Sequence, residues 1–472
     1  MSTPTTGAHI LVYPFPSSGH FIPLLDLTRR LLTRGLTVTV AVTPGNLPLL
    51  DNSLLSHHLL LPDPSIDNLS AASGNIFLVY MRVLKETHYS ILLEWFQSHK
   101  SPPVVILSDF FLGWTQDLAS EVGVPRVVFS PSGALALLVV ISNWRDQPRN
   151  PDPEEDMDFL VNYPKIPNFP SQPWWHISQL YRKGKEGDPD GEFFREFFLK
   201  NLLSWGIVFN SFEELESVYL HHMKQEFESG QVWAVGPVLP PDDDSTEVSN
   251  RGGSSSVPCQ EVMTWLDSKP ESSVVYVCFG SRSVLTRNQL KELATGLEKS
   301  GVNFVYCHRS ADQRHQTSED DGVLPEGFED RVAGSGMGLV IKGWAPQVTI
   351  LQHHAVGAFL THCGWNSTLE GIAAGVVLLT WPLGADQYTN AQLLVDQLGV
   401  GIRVGEGTRK IPEATQLAQI LIDSLDGTRT EKVKAKKLGA AAADAIQGGS
   451  ADKELDEFVK LVNDLKIVRE AV

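Results

Sequence analysis

The sequence has few basic residues, few cysteines and no long apolar run. Its 472 residues include 38 Lys and Arg against 56 Asp and Glu, a formal net charge of −18. A chain this acidic is not expected to bind nucleic acid through a broad basic face. No uncharged apolar run reaches the roughly 18 residues of a membrane span, and the start lacks the basic region of a secretory signal peptide. We therefore expect a cytoplasmic protein without a membrane span.

The cysteine spacing and the glycine motifs also exclude several classes of cofactor site. Cys259, Cys278, Cys307 and Cys363 are widely spaced, without a CxxC pair or a zinc-binding pattern, so we expect reduced thiols. Gly334-Ser-Gly-Met-Gly338 precedes a predicted strand, whereas a dinucleotide-binding fingerprint follows a strand and opens a helix. The sequence contains neither G-x-S-x-G nor a P-loop motif. A nicotinamide oxidoreductase, which would suit Rossmann domains, is therefore disfavoured.

Two acidic stretches match the D-x-D pattern that holds a metal-bound nucleotide diphosphate in other transferases. They are Asp188-Pro-Asp190 and Asp242-Asp-Asp244. The first lies in a predicted charged loop and the second in a predicted linker, where acidic residues are ordinarily solvated. We therefore predict no metal site.

What the chain does contain is material for two buried cores. Hydrophobic residues make up 42% and aromatics 9%, and the length allows two or three domains of about 150 residues. Short β-branched runs alternate with helical patterns, which predicts βαβ units and hence parallel sheets. The predicted strands are His9–Tyr13, Thr37–Val42, Val104–Ser108, Val124–Phe129, Gly206–Asn210, Ser273–Phe279, Phe304–Cys307, Leu339–Lys342, Gly357–Thr361 and Val376–Thr380.

Composition also predicts the domain boundaries. Residues 236–258 are rich in Pro, Gly, Ser and Asp without apolar periodicity, which is typical of a linker. We expect Rossmann-like domains over 1–235 and 259–450, and a C-terminal helix over 451–472 that packs back on the first domain. Capping boxes are predicted at Ser211–Glu214 and Thr286–Gln289.

Polar and aromatic residues follow several predicted strands, where open parallel sheets bind ligands. His20 follows the first predicted strand and Asp109 follows the third. An imidazole takes a proton from a hydroxyl near neutral pH, and a carboxylate on its other nitrogen stabilises the charged form. The alternative is an unconnected surface histidine and a loop aspartate, 89 positions apart.

A second group is His362-Cys-Gly-Trp-Asn-Ser-Thr-Leu-Glu370, where a strand leads through glycine into a helix near Asn366. A helix N-terminus offers free backbone N–H groups and a positive dipole end, which suit a phosphate. Asn366, Ser367, His362 and Ser281 add side-chain donors. The alternative is an ordinary helix start.

Trp344 and the pair Asp386-Gln387 complete the candidate set. Trp344 opens Trp344-Ala-Pro-Gln347 after a strand, where an indole makes a stacking platform for a planar base. Asp386 and Gln387 follow a buried strand and can both bond vicinal sugar hydroxyls. The alternatives are a core tryptophan, one of 11 in the chain, and ordinary turn chemistry.

These motifs together resemble the donor-binding signature of plant secondary-product UDP-glycosyltransferases. The stretch from Trp344 to Gln387, W-A-P-Q…H-C-G-W-N-S…E…D-Q, carries the resemblance, and the likeness extends over the whole chain. Ser108-Asp-Phe-Phe-Leu-Gly-Trp114 is similar to the branch that acts on flavonols and hydroxybenzoates. The resemblance implies an α/β fold of GT-B type, with two facing Rossmann-like doubly wound domains and an interdomain cleft.

The resemblance also implies a role for each residue. His20 would be the general base and Asp109 its partner. The second domain would hold the UDP-sugar: Trp344 stacks on uracil, Gln347 and Glu370 hold base and ribose, and Asp386 and Gln387 grip the sugar. The diphosphate would be held by Ser281, His362, Asn366 and Ser367, and the remaining donor-signature positions are Ala345, Gly364 and Trp365.

The implied function is inverting, metal-independent transfer of glucose from UDP-glucose to a small hydroxylated aromatic acceptor, by a monomer. Gln387 goes with glucose in this family more often than with galactose. Val376 and Tyr306 depart from the usual proline and tryptophan, and Tyr306 lies on a strand that approaches the donor. Alternatives are rhamnose, xylose or galactose as the sugar, glucose-ester formation, and a non-catalytic nucleotide-sugar-binding protein.

Overall fold

The computed structural model describes residues 7–55, 57–65, 75–169, 171–184, 187–240, 254–309 and 321–470. The chain divides into two compact units. The first unit is Met1–Pro241 together with Asp444–Val472, and the second is Asp242–Ala443. We expected the second domain to extend to residue 450, so the observed boundary lies slightly earlier in the chain.

The first unit is built on a seven-stranded sheet with the order β3-β2-β1-β4-β5-β8-β9, in which all neighbours are parallel. A small antiparallel pair, β6 and β7, lies outside it. The strands are β1 His9–Tyr13, β2 Thr37–Val42, β3 His58–Leu60, β4 Val105–Asp109, β5 Arg126–Ser130, β6 Leu160–Asn162, β7 Ser171–Pro173, β8 Gly206–Phe209 and β9 Val232–Ala234. Central strands such as β1 are buried throughout, because helices cover both faces of a parallel sheet.

Helices connect these strands. They are α1 Ser18–Thr33, α2 Asn52–Leu55, α3 Ile76–Ser98, α4 Thr115–Val122, α5 Ala134–Asp146, α6 Gln179–Arg182, α7 Pro189–Leu199 and α8 Glu213–Glu226. Short 3₁₀ turns cover Leu47–Leu49, Phe110–Leu112, Trp174–His176 and Lys200–Leu203.

The second unit has a six-stranded parallel sheet with the order β12-β11-β10-β13-β14-β15. Its strands are β10 Val274–Cys278, β11 Asn303–His308, β12 Gly338–Lys342, β13 Val356–Thr361, β14 Val377–Thr380 and β15 Gly401–Arg403. Its helices are α9 Cys259–Asp267, α10 Arg287–Ser300, α11 Phe328–Ser335, α12 Gln347–Gln352, α13 Trp365–Ala373, α14 Gln387–Gln392, α15 Ala414–Ser424 and α16 Thr430–Ile446. A π-helical turn covers Leu393–Gln397.

All ten predicted strands are present, with ends displaced by at most two residues. The strands that sequence reasoning missed are β3, β6, β7, β9 and β15, each of three residues. Such short strands carry too few residues to show an alternating pattern.

One of the two predicted capping boxes is confirmed. Thr286 caps α10 and exchanges hydrogen bonds with Gln289 in both directions. The box at Ser211–Glu214 is wrong: α8 begins after Phe212, and Ser211 Oγ instead donates to Glu216 Oε2 over 2.7 Å. The Glu216 carboxylate is held beside Ser211 because it also accepts hydrogen bonds from the first two amides of α5.

The final helix, α17 Ser450–Glu470, belongs to the first unit. Its apolar face contributes Leu455, Phe458, Val459 and Val462 to the core formed with β1, β2 and α1. The Phe458 ring lies 5.1 Å from that of Trp233 on β9. Within the described residues, no helix is both long and apolar enough to span a membrane.

We expect Phe458→Ala to lower the free energy of unfolding of the first unit by about 3–5 kcal/mol, because it leaves a cavity in a packed core. Lys460→Ala, on the exposed side of the same helix, is the control and should change it by less than about 0.5 kcal/mol. Urea unfolding followed by tryptophan fluorescence checks both. Equal stability of the two variants would contradict the packing of α17 described above.

Candidate functional site

Both sheets place candidate residues where the strand order reverses. In the first unit the chain passes from β1 to β2 on one side, and β4 lies on the other. In the second unit β10 has β11 on one side and β13 on the other. The loops that leave the two central strands diverge at such a point and leave room for a ligand at their carboxyl ends. His20 and Asp109 follow β1 and end β4, and Ser281 and His362 follow β10 and β13.

The structure brings His20 and Asp109 together. His20 lies in the first turn of α1, and its Nδ1 is 2.9 Å from Asp109 Oδ2. Asp109 is fully buried, and its Oδ1 accepts the Phe111 amide over 2.9 Å, so the carboxylate cannot turn away. A carboxylate only accepts, so Nδ1 carries the proton and Nε2 keeps its lone pair. The His20 side chain is 19% exposed, which leaves it accessible to a substrate.

Aromatic rings surround this imidazole. Phe111 stacks on His20 with centroids 4.9 Å apart and planes 24° apart. Phe15 and Phe110 meet the ring edge to face at 5.4 and 5.6 Å. These rings hold the imidazole plane, and Phe111, the one of the three that is partly exposed, presents an apolar face suited to a flat aromatic molecule.

A buried arginine supports the Asp109 end of the pair, and sequence reasoning missed it. Arg126 Nη2 donates to the Asp109 carbonyl oxygen over 3.3 Å, and its Nε donates to Ser108 Oγ over 2.8 Å. Its Nη1 donates to Asn201 Oδ1 and Ser204 Oγ. Burial lowers the pKa of Arg126 to about 9, against the attraction of Asp109. The available signal was a charged residue inside the predicted apolar strand Val124–Phe129.

In the second unit, the N-terminus of α13 and His362 form an anion-binding arrangement. Gly364 is the N-cap of α13, and having no side chain it leaves the start of this helix without a side-chain cap. The His362 ring fills the space beside two glycines: a Cβ at Gly280 or Gly364 would lie 2.4 or 2.5 Å from its Nε2. Ser281, directly after Gly280, is therefore close to this histidine.

Burial lowers the pKa of His362 to about 4, so the ring is neutral at pH 7. Its buried Nδ1 has no hydrogen-bond partner among the described residues. A neutral imidazole still carries one N–H and can donate a single hydrogen bond to a phosphate oxygen. Trp365 and Asn366 follow as the first two residues of α13, with Trp365 buried.

Asn390 ties this loop to Asp386. Its Nδ2 donates to the Cys363 carbonyl over 3.0 Å and to Asp386 Oδ2 over 3.2 Å. Cys363 has a φ of +64°, an uncommon conformation outside glycine. Gln387 Oε1 accepts the amides of residues 383 and 384 over 2.8 and 3.0 Å, so its NH₂ group is the end left to meet a ligand.

Gln347 joins the remaining donor residues. Its Nε2 donates to Ser367 Oγ over 2.9 Å and to Glu370 Oε2 over 2.6 Å. Tyr276, which sequence reasoning missed, donates its hydroxyl to Gln347 Oε1 over 3.2 Å from inside β10. No sequence pattern pointed to it, since it lies within an apolar strand. The Ala345 carbonyl accepts the Gln347 amide over 2.8 Å.

Trp344 lies partly exposed at the end of β12, held by its backbone. Its amide donates to the Ser254 carbonyl over 2.9 Å. Gly343 before it has a φ of +93°, and a Cβ there would lie 2.6 Å from the same carbonyl. The last part of the predicted linker, at Ser254, thus fixes the position from which the indole projects.

The two D-x-D stretches behave differently. Asp188 caps α7 by accepting the amide of Asp190, and Asp190 pairs with Arg82 over 2.7 Å. These are structural contacts, so the expectation of a solvated loop is wrong there. Residues 242–244 lie outside the described part of the chain. Across the described part, no group of three or more His, Cys, Asp or Glu side chains could hold a metal ion.

The chain is similar to known proteins over almost its whole length. Residues 238–413 match the family described as UDP-glucoronosyl and UDP-glucosyl transferase. The UDP-glycosyltransferase 89B2 of Stevia rebaudiana is 48% identical over 98% of each chain. A flavonol 3-O-glucosyltransferase of Arabidopsis thaliana is 47% identical over 97% of this chain and 96% of its own. A flavonol 7-O-rhamnosyltransferase of the same plant is 37% identical over 97% and 98%.

Solved structures agree. The crystal structure of Arabidopsis thaliana UGT89C1 with UDP-L-rhamnose matches with a TM-score of 0.78 and 35% identity over 97% of this chain and all of that one. Its complex with quercetin matches with a TM-score of 0.74 and 33% identity over the same shares. The predicted α/β fold with Rossmann-like domains, as in these glycosyltransferases, is confirmed.

We expect the free energy of unfolding to fall as the pH drops from about 6.5 to about 4, in part because the buried His362 resists protonation. The folded ring titrates near 4 and an unfolded histidine near 6.5. Between these values the unfolded chain binds a proton that the folded chain does not, so the stability present above pH 6.5 is lost towards pH 4. The shift corresponds to about 3 kcal/mol.

Urea unfolding over this pH range checks the expectation. His362→Asn should remove this part of the pH dependence, whereas His354→Asn, at an exposed histidine, should keep it. Parallel pH profiles for wild type and His362→Asn would contradict the assignment.

Proposed function

The chain belongs to the UDP-glycosyltransferase family, and we propose that it transfers glucose from UDP-glucose to a hydroxyl of a flavonol or a similar small phenolic. The observation that carries the proposal is the hydrogen bond between His20 Nδ1 and the buried Asp109. It leaves Nε2 as an accessible base, which a protein that only binds nucleotide sugars does not need.

His20 performs the proton transfer. Its Nε2 takes the proton from the acceptor hydroxyl as that oxygen attacks the anomeric carbon of the sugar. Asp109 stabilises the imidazolium that forms, and Arg126 holds the backbone of Asp109. A single displacement opposite the UDP inverts the anomeric centre, so an α-linked nucleotide sugar gives a β-glycoside.

The second unit holds the donor in this proposal. Trp344 stacks on uracil, and Gln347 with Glu370 positions base and ribose. Asp386 and Gln387 bond the sugar hydroxyls. The diphosphate binds at the α13 N-terminus, where Ser281, His362, Gly364, Trp365, Asn366 and Ser367 gather. Helix-end amides and the His362 N–H stabilise the leaving diphosphate, the role that a metal ion plays elsewhere, so we propose a metal-independent reaction.

Two observations favour glucose as the sugar. The Oε1 of Gln387 is held by two backbone amides, which leaves the NH₂ group as the end that would donate to a sugar hydroxyl. The relative named as a glucosyltransferase is also closer in identity, at 47%, than the one named as a rhamnosyltransferase, at 37%. Tyr306, in place of the usual tryptophan, is buried and bonded to His308 Nδ1 over 3.2 Å, so this departure is accommodated within the protein.

The acceptor proposal rests on the relatives' names and on the rings around His20. Two relatives are named as flavonol glycosyltransferases, and a structural match contains quercetin. Phe111 is partly exposed beside His20 and offers an apolar face to a flat phenolic, and the buried Phe15 and Phe110 support it. We further propose a monomer in the cytoplasm, a reducing compartment that suits four free cysteines.

We expect His20→Ala to reduce kcat about 10²–10⁴-fold, because it removes the general base. Its affinity for UDP should stay within about twofold, since the donor residues lie in the second unit. UDP release with quercetin as acceptor measures the first and calorimetric titration with UDP the second. His221→Ala, at an exposed histidine of the same unit, is the control. Retention of most turnover would remove His20 from this role.

The donor is tested by comparing UDP-glucose, UDP-galactose, UDP-xylose and UDP-rhamnose with quercetin as acceptor. UDP-glucose should have the highest kcat/KM, by about tenfold or more. A tenfold preference corresponds to a difference of about 1.4 kcal/mol in free energy between two donors. A higher value for another sugar would correct the donor, and glucosylation confined to carboxylate acceptors would correct the linkage. UDP-glucose binding without turnover on any acceptor would overturn the enzyme in favour of a binding protein.

A further inference from the structure

Two of the four cysteines are direct neighbours in the sheet of the second unit. Cys278 on β10 and Cys307 on β11 are partners in the parallel register. Partner residues on adjacent strands face the same side, with Cα atoms about 4.8 Å apart, within the range that a disulfide spans. The two thiols lie close enough for each to shift the pKa of the other. Both cysteines are free, and they lie 29 positions apart in the sequence, so no CxxC-type pattern indicated the pair.

The pair combines a reactive sulfur with an accessible one. The neighbouring Cys307 thiol lowers the pKa of Cys278, and Cys278 in turn raises the pKa of Cys307. The thiolate is the form that reacts with oxidants. Cys307 is partly exposed and lines a small cavity with Gly280, His308 and Arg309. A small oxidant therefore has a route to the pair.

The thiols also contact the supports of the candidate donor site. Cys307 Sγ donates to the carbonyl of Gly343, the residue before Trp344, over 3.5 Å. The Tyr276 side chain, two residues before Cys278 on the same face of β10, helps to lower the pKa of Cys278, and its hydroxyl donates to Gln347 Oε1. A disulfide removes both thiol protons and draws the sulfurs to about 2.05 Å. The Gly343 carbonyl then loses its donor, and the contact of Cys278 with Tyr276 changes.

We infer that Cys278 and Cys307 form an oxidisable dithiol, and that its disulfide weakens binding of the nucleotide-sugar donor. The Cys278 thiolate attacks a peroxide oxygen, the O–O bond breaks, and a sulfenic acid and hydroxide form. The Cys307 sulfur then attacks the sulfenic sulfur, the S–O bond breaks and the S–S bond closes. In sum, two thiols and one hydrogen peroxide give one disulfide and two water molecules.

Disulfide formation between Cys278 and Cys307 does not depend on the proposed function. Only the predicted effect on donor binding rests on that function. The first experiment therefore uses mass spectrometry alone. The full chain is treated with hydrogen peroxide, alkylated and digested under non-reducing conditions. We expect a crosslinked Cys278–Cys307 peptide that is lost on treatment with dithiothreitol. Cys259 and Cys363 should remain thiols and form no crosslink. A disulfide between other cysteines, or sulfinic acid at Cys278 without crosslink, would overturn the inference whatever the enzyme does.

The second experiment measures the donor KM of each protein before and after oxidation, so that every variant is compared with itself. Oxidation should raise the KM for UDP-glucose about fivefold in the wild type, as expected for a lost hydrogen bond, with kcat within about twofold and recovery in dithiothreitol. Cys278→Ser and Cys307→Ser should lose this response. Cys259→Ser, the matched control on α9, should keep it.

The outcomes of the two experiments are distinguishable. An unchanged donor KM in a wild type that carries the crosslink would overturn the effect on the donor. An equal response in Cys307→Ser would also overturn it, because another group would then be the one oxidised. If the chain transfers no sugar, calorimetric titration with UDP replaces KM, and the same fivefold change is expected.

Discussion

The central constraint on this molecule is the reversal of strand order inside each parallel sheet. At β1–β4 and at β10–β13, neighbouring strands deliver their carboxyl ends side by side while their connections run in opposite directions. Residues 89 apart, His20 and Asp109, thereby come within hydrogen-bond distance. The same constraint sets Gly280 against His362 in the second unit. The chemistry of each unit follows from this arrangement.

In each unit, buried side chains fix the positions of the candidate site residues through hydrogen bonds. Arg126 makes four hydrogen bonds beneath the His20–Asp109 pair, one of them to the Asp109 backbone. In the second unit, Tyr276 stacks on Phe359 at 5.1 Å and supports Gln347 through its hydroxyl. A polar group buried without its partners costs free energy, so these contacts fix single positions for the residues above them.

The sequence sufficed for the fold class and for all ten longer strands to within two residues at each end, because burial patterns and helix starts are local features. It did not reveal Arg126, whose partner Asn201 is 75 residues away, nor the pairing of Cys278 with Cys307, because strand register is set by the assembled sheet. The capping box at Ser211 failed for a related reason. Glu216 accepts an amide at the N-terminus of α5, which is distant in the sequence, and the Ser211 hydroxyl donates to Glu216 instead of capping α8.

The most direct measurement is a crystal structure of the chain with UDP bound. The account predicts uracil stacked on Trp344, the ribose hydroxyls on Glu370, and the diphosphate on the α13 amides with the His362 N–H as a donor. It predicts this without a metal ion between the phosphates. UDP bound elsewhere, with Trp344 and the α13 N-terminus vacant, would contradict it, as would a diphosphate held through a metal ion.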